Sequence, residues 1–143
     1  MLGVATVLTP SQSLVKHEAK RLLYPRSTPL SPLSLDVPSI SEALDFTKGR
    51  NAGPTVARFR IDPASVQSSS WNLRACQVFA EDFYLKRHPE AEGKALVDVS
   101  MEFYHLIPEF TAQHAATSGF ASLESYQRFQ GQLRRRMRKH EVS

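Results

Sequence analysis

The stretch Leu96–Phe110, LVDVSMEFYHLIPEF, decides how this chain is read. Leu96, Val99, Phe103 and Ile107 recur at spacings of three and four, so a helix carries them all on one face. The apolar positions are denser than a surface helix needs, which points to a helix packed in a core. Pro89 fits a first helical position, and Glu90 and Glu92 would complement the positive end of the helix dipole there. Pro108 has no amide hydrogen and crowds the preceding turn, so the helix is expected to stop at it.

The same periodicity extends in both directions. Upstream, Trp71, Ala75, Cys76, Phe79 and Phe83 form one continuous face of a helix from about Ser70 to Arg87. Downstream, Leu123, Tyr126, Phe129, Leu133 and Met137 predict a last helix from about Ser122. Toward the N-terminus, Ser39 and Glu42 make a capping box ahead of Ile40, Ala43 and Leu44. KGRNAGP then breaks that helix, and TVARFRI alternates too imperfectly, and without a partner strand, to be more than an extended connector. Thr9, Pro10 and Gln12 start a first helix that carries Leu14, Val15, Ala19, Leu22 and Leu23 and ends at Tyr24-Pro25. Prolines 25, 29, 32 and 38, with serines between them, suit an extended linker. The expectation is an all-α chain: a loosely tied helix and linker over 1–34, then a compact bundle over 35–143, about five or six helices in all.

Composition narrows the function. The 143 residues, 41% hydrophobic, suffice for one core, and no window approaches the ~18 apolar residues of a membrane span. A lone cysteine, Cys76, lies among apolar neighbours and reads as a structural thiol. The histidines at 17, 88, 105, 114 and 140 lack metal-ligand spacing, and His105 reads as a surface residue. No phosphate cradle, nucleophile elbow or zinc motif is present, so no catalytic, cofactor-binding or metal-binding residue is assigned. Glu81 and Asp82 fall on a polar face. The acid-poor first residues fit either an organellar presequence or, through the Thr9 cap, an ordinary helix start.

The net charge of +4 is unevenly placed. From Arg128 the chain reads RFQGQLRRRMRKH, with Arg128, Arg134, Arg135, Arg136, Arg138 and Lys139 and no acid before Glu141. Such a run is either a solvated face or a track for phosphates. On both readings, charge reversal at Arg134, Arg135 and Arg136 is expected to leave folding unchanged.

LVDVSMEFYHLIPEF also resembles a block in the α-helical regulatory domain of the poly(ADP-ribose) polymerase family, L-D-L-S-x-x-F-Y-x-L-I-P-H. The match runs through Asp98, Ser100, Phe103, Tyr104, Leu106, Ile107 and Pro108, with Glu109 in place of the histidine. LDVPSISEALDF is similar to the family's F-D-V-x-S-M-x-x-A-M through Asp36, Val37, Ser39 and Ala43, and DPASVQSSSWNLRACQVF keeps Pro63 and Ser68 of a third block. The resemblance implies a non-catalytic module that packs on an ADP-ribosyltransferase domain and restricts NAD access, in the nucleus. NAD would be bound only by that partner. The family's last helix presents acids to the nicotinamide pocket, whereas this one presents Arg128, Gly131, Arg134 and Arg135, which suit an anion instead. The other reading is therefore a basic helical protein that binds nucleic acid, or a subunit of a ribonucleoprotein or organellar assembly.

Overall fold

The computed structural model describes residues 9–24, 35–86, 88 and 93–142. Among these the chain is all-helical: α1 (Pro10–Leu23), α2 (Ile40–Thr47), α3 (Ser70–Leu85), α4 (Leu96–Thr117) and α5 (Leu123–Val142). Most of the proline-rich linker, and Pro89, Glu90 and Glu92, lie outside the described residues.

Helix starts follow their caps. Thr9 Oγ1 accepts from the Gln12 amide at 3.2 Å while Gln12 Oε1 accepts from the Thr9 amide at 3.0 Å. Ser39 and Glu42 make the same reciprocal pair at 3.0 and 3.1 Å. Ser122 and Ser125 repeat the arrangement before α5 with two hydroxyls, at 3.1 and 3.2 Å. Each exchange satisfies donors that the first helical turn leaves open.

The core is built on α3 and α4, the most closely packed pair. Phe79 and Phe103 stack at 4.6 Å, and Phe59 from the connector meets Phe103 edge-on at 5.5 Å. Phe83, Val99 and Ile107 are buried with them, as the helical spacing predicts. Leu96 is not: it opens α4 and is 43% exposed. The turn at Gly93 and the non-helical Lys94 and Ala95 separate it from any helix starting at Pro89. Leu96 therefore sits at the first turn of α4, on the rim of the core, where no layer covers it.

Two further expectations change. The first helix is not loosely tied, because Val15, Ala19 and Leu23 are buried in the same cluster as Phe79 and Phe103. Tyr24 meets Phe110 edge-on at 6.2 Å, and Lys16 pairs with Glu109 at 3.0 Å. A boundary at residue 34 thus divides a shared core. Nor does Pro108 end its helix, which runs on to Thr117. The missing proline amide leaves the Tyr104 carbonyl open, and Gln67 Nε2 donates to it at 2.7 Å. A side chain from a distant loop thereby replaces the backbone bond, which offsets part of the roughly 3 kcal/mol that an interior proline costs.

The connector 53–69 contains no strand, as expected, but it carries charge inward. Arg60 is buried, forks onto Glu42 at 3.0 and 2.8 Å, and lies over the Trp71 ring at 5.3 Å. Trp71 Nε1 donates to the Arg60 carbonyl at 3.0 Å. Gly53, at φ +74°, passes so close to Phe46 that an added Cβ would stand 2.6 Å from the ring.

The Arg60 hydrogen bonds, then that from the Ser39 amide, hold the Glu42 carboxyl down from 4.5 to about 2. A carboxyl depressed on folding stabilises the protein above the unfolded value, and that stability is lost as pH falls from about 4.5 toward 2. Glu42 is 35% exposed, so solvent screening reduces the contribution to about 1–2 kcal/mol. Urea titrations of Glu42→Gln are therefore expected to show a clear deficit at pH 6 that shrinks toward pH 3. A deficit independent of pH would remove the ionic explanation.

Candidate functional site

The α5 helix separates into an inner face that locks it to the bundle and an outer face that is largely cationic. Arg134 belongs to the inner face. Its guanidinium forks onto Asp62 with both bonds at 2.8 Å, and the two side chains are only 13% and 3% exposed. Asp62 is held in turn by Asn72, whose Oδ1 accepts the Asp62 amide at 2.7 Å and whose Nδ2 donates to the Asp62 and Val66 carbonyls at 3.1 Å. About two turns earlier on α5, Gln127 Nε2 donates to the Pro63 and Ser65 carbonyls at 3.2 and 3.0 Å. The connector and α5 thus fix each other. Arg134 is a structural residue, and reversing its charge would set a carboxylate against the buried Asp62, contrary to the expectation that folding is indifferent to it.

The outer face holds the other arginines. Arg128 makes only an exposed pair with Glu124, at 3.2 Å, which contributes little. Arg135, Arg136 and Arg138 are exposed and form no ion pair among the described residues; the Lys139 side chain lies outside them. Residues 135 to 138 are all exposed. Four successive exposed positions span more than one helical turn, so among the described residues no element encloses this part of α5. Met137, expected on the buried stripe, is exposed in this segment; Phe129, expected on the same stripe, is half-exposed at the edge of the packed face, while Tyr126 is buried.

An aromatic ladder joins the core to this surface. His114 meets Tyr126 at 5.3 Å and 87°, Tyr126 meets Phe120 at 5.1 Å and 85°, and Phe120 meets Phe129 at 5.7 Å and 50°. Burial pushes the His114 imidazole below its ordinary pKa and the Tyr126 phenol above its own, the latter helped by Asp62 and opposed by Arg134. Both groups are therefore neutral at physiological pH, and the ladder acts as an uncharged support.

Nothing in the described residues assembles a reaction centre. Burial pushes the Cys76 thiol up to about 12, so it is no nucleophile at neutral pH. No group of His, Cys, Asp and Glu among the described residues could hold a metal ion. Among them, no helix is long and apolar enough to cross a membrane. A half-open groove of about 220 Å³ lies beside Pro108, between the loop at Val66 and Leu123 of α5. Its polar groups already serve the fold: Gln67 and Gln127 donate to backbone carbonyls, and the Thr111 hydroxyl donates to the Ile107 carbonyl at 3.0 Å. His105 is exposed, as read from the sequence.

No family model, curated protein or solved structure matches this chain. The functional argument accordingly rests on the outer face of α5. Of the residues nominated from the sequence, Arg128, Arg135 and Arg136 lie on that face, Arg138 is exposed one turn beyond Arg134 on its strip, and Arg134 is turned inward. Phe129 was assigned to the core by periodicity alone. The structure leaves its ring 49% exposed.

Proposed function

We propose that this chain is a non-catalytic interaction module whose working surface is the outer face of α5, and that this surface takes the phosphate backbone of a nucleic acid. The observation that carries the reading is the set Arg135, Arg136 and Arg138, exposed and, among the described residues, without an ion pair on the part of α5 beyond the Arg134 anchor. A structural role would give these guanidinium groups carboxylate partners, as Arg60 and Arg134 have. Cations left open on a projecting helix suit a polyanion, and each phosphate neutralised releases condensed counterions.

Fluorescence anisotropy against a labelled oligonucleotide tests the reading. With three to four phosphates engaged, affinity for a single strand is expected to fall about 20- to 50-fold between 50 and 200 mM salt. Joint replacement of Arg135, Arg136 and Arg138 by Glu should abolish binding and leave thermal unfolding within about 1 kcal/mol of the parent. Binding that survives this change would reject the face as the site.

The resemblance to the poly(ADP-ribose) polymerase regulatory domain supports a second reading, a nuclear module that restrains a transferase domain. It is favoured by the Phe103-Tyr104-x-Leu106-Ile107-Pro108 block, whose proline is accommodated inside a continuous helix by Gln67. Phe103 and Ile107 are buried, so the block bears on the core rather than on a contact surface. Dose-dependent inhibition of NAD turnover by an isolated ADP-ribosyltransferase domain would support this reading, and no effect at saturating chain would dismiss it.

A further inference from the structure

We infer that Phe129 is a stacking platform for an unpaired base, so that the nucleic acid taken by α5 is single-stranded. This rests on the polyanion reading of α5 and adds the chemistry of the base to that of the phosphate. Phe129 is 49% exposed, although every other ring in its ladder is covered further toward the core. The ladder fixes the ring in place: Phe120 supports it at 5.7 Å, and Tyr126 supports Phe120. A platform that is already held loses little freedom when a base lands on it.

Its neighbours complete the site. On a helix, Gln132 and Arg136 follow Phe129 at three and seven positions and share its strip, while Arg128 and Arg135 lie on the adjoining one. Cations thus flank a half-exposed ring. That is the combination by which single strands are held, with bases stacking on rings while the backbone tracks the positive charge. Duplex bases are stacked on one another and offer no free face to such a ring, so the ring adds nothing to duplex binding.

The intact chain and its Phe129→Ala and Phe129→Tyr variants would be titrated with a 12-nucleotide oligothymidylate and with a duplex of equal length. Phe129→Ala is expected to weaken single-strand binding about 5- to 150-fold, leaving the salt slope and duplex affinity unchanged. Phe129→Tyr should restore it, because the π face returns. Thermal unfolding of each variant confirms that the fold is retained. Equal losses on both oligonucleotides, or none on either, would overturn the platform while leaving the cationic face standing. If the parent chain binds neither oligonucleotide, both the platform and the nucleic-acid reading fall.

Discussion

Phe103→Ala is expected to lower the free energy of unfolding by about 3–5 kcal/mol, a fall in Tm on the order of 10–20 °C. The side chain is fully buried, stacked on Phe79 at 4.6 Å and met edge-on by Phe59 at 5.5 Å. Removing it deletes a ring that touches both α3 and the connector from α4. The surrounding rings cannot close the gap, because Phe79 is itself packed against Phe59 and Phe83 at 6.2 and 5.9 Å. The loss therefore combines transfer of a large apolar group with a residual cavity. Phe103→Leu keeps much of the volume and should lose markedly less. Urea unfolding followed by tryptophan fluorescence suits the measurement, since the single Trp71 is buried on α3. An unchanged midpoint for Phe103→Ala would contradict the assignment of this residue to the centre of the core.

The second large effect is expected at Arg134, which opens a run of three arginines yet differs from the other two. Arg134→Ala leaves the Asp62 carboxylate, 3% exposed, without its guanidinium, and breaking such a buried pair costs about 3–5 kcal/mol. Arg135→Ala should cost no more than about 0.5 kcal/mol, since that side chain is exposed and has no ion-pair partner among the described residues. Arg134→Lys tests geometry, because an ammonium cannot form the two parallel bonds at 2.8 Å that the guanidinium makes. A double-mutant cycle with Asp62→Asn isolates the coupling, and the paired variant should lose less than the sum of the single ones. If Arg134→Ala and Arg135→Ala prove equally stable, the anchoring of α5 through Asp62 is wrong. In the oligonucleotide assay, by contrast, Arg135 should matter and Arg134 should act only through the fold.

The helical class and the centre of the core were legible because both rest on local rules. Reciprocal caps at Thr9/Gln12 and Ser39/Glu42 depend on residues three apart, and each appears as the spacing predicts. The faces of α3 and α4 follow from periodicity, which is correct wherever both sides of a helix turn have neighbours. It misleads at ends. Leu96 and Met137 keep the phase of the buried stripe, but one lies in the first turn of α4 and the other beyond the Arg134 anchor of α5. The continuation of α4 through Pro108 was hidden as well, since the group that compensates for the proline is Gln67, 37 residues away from the carbonyl it reaches.

The candidate site divides in the same way. Sequence by itself determined that a basic helix ends the described chain, since charge and helical period are properties of neighbouring residues. It could not rank six cations that look alike in a row. Only the tertiary structure decided that Arg134 is held by Asp62, 72 positions earlier, while Arg135, Arg136 and Arg138 stay exposed. The physical reason is that burial is a property of what packs against a residue, and a carboxylate enclosed by another segment selects one guanidinium from the run. The same holds for α1, whose Val15, Ala19 and Leu23 show a helical stripe in sequence but acquire a place in the core only through contact with α3 and α4.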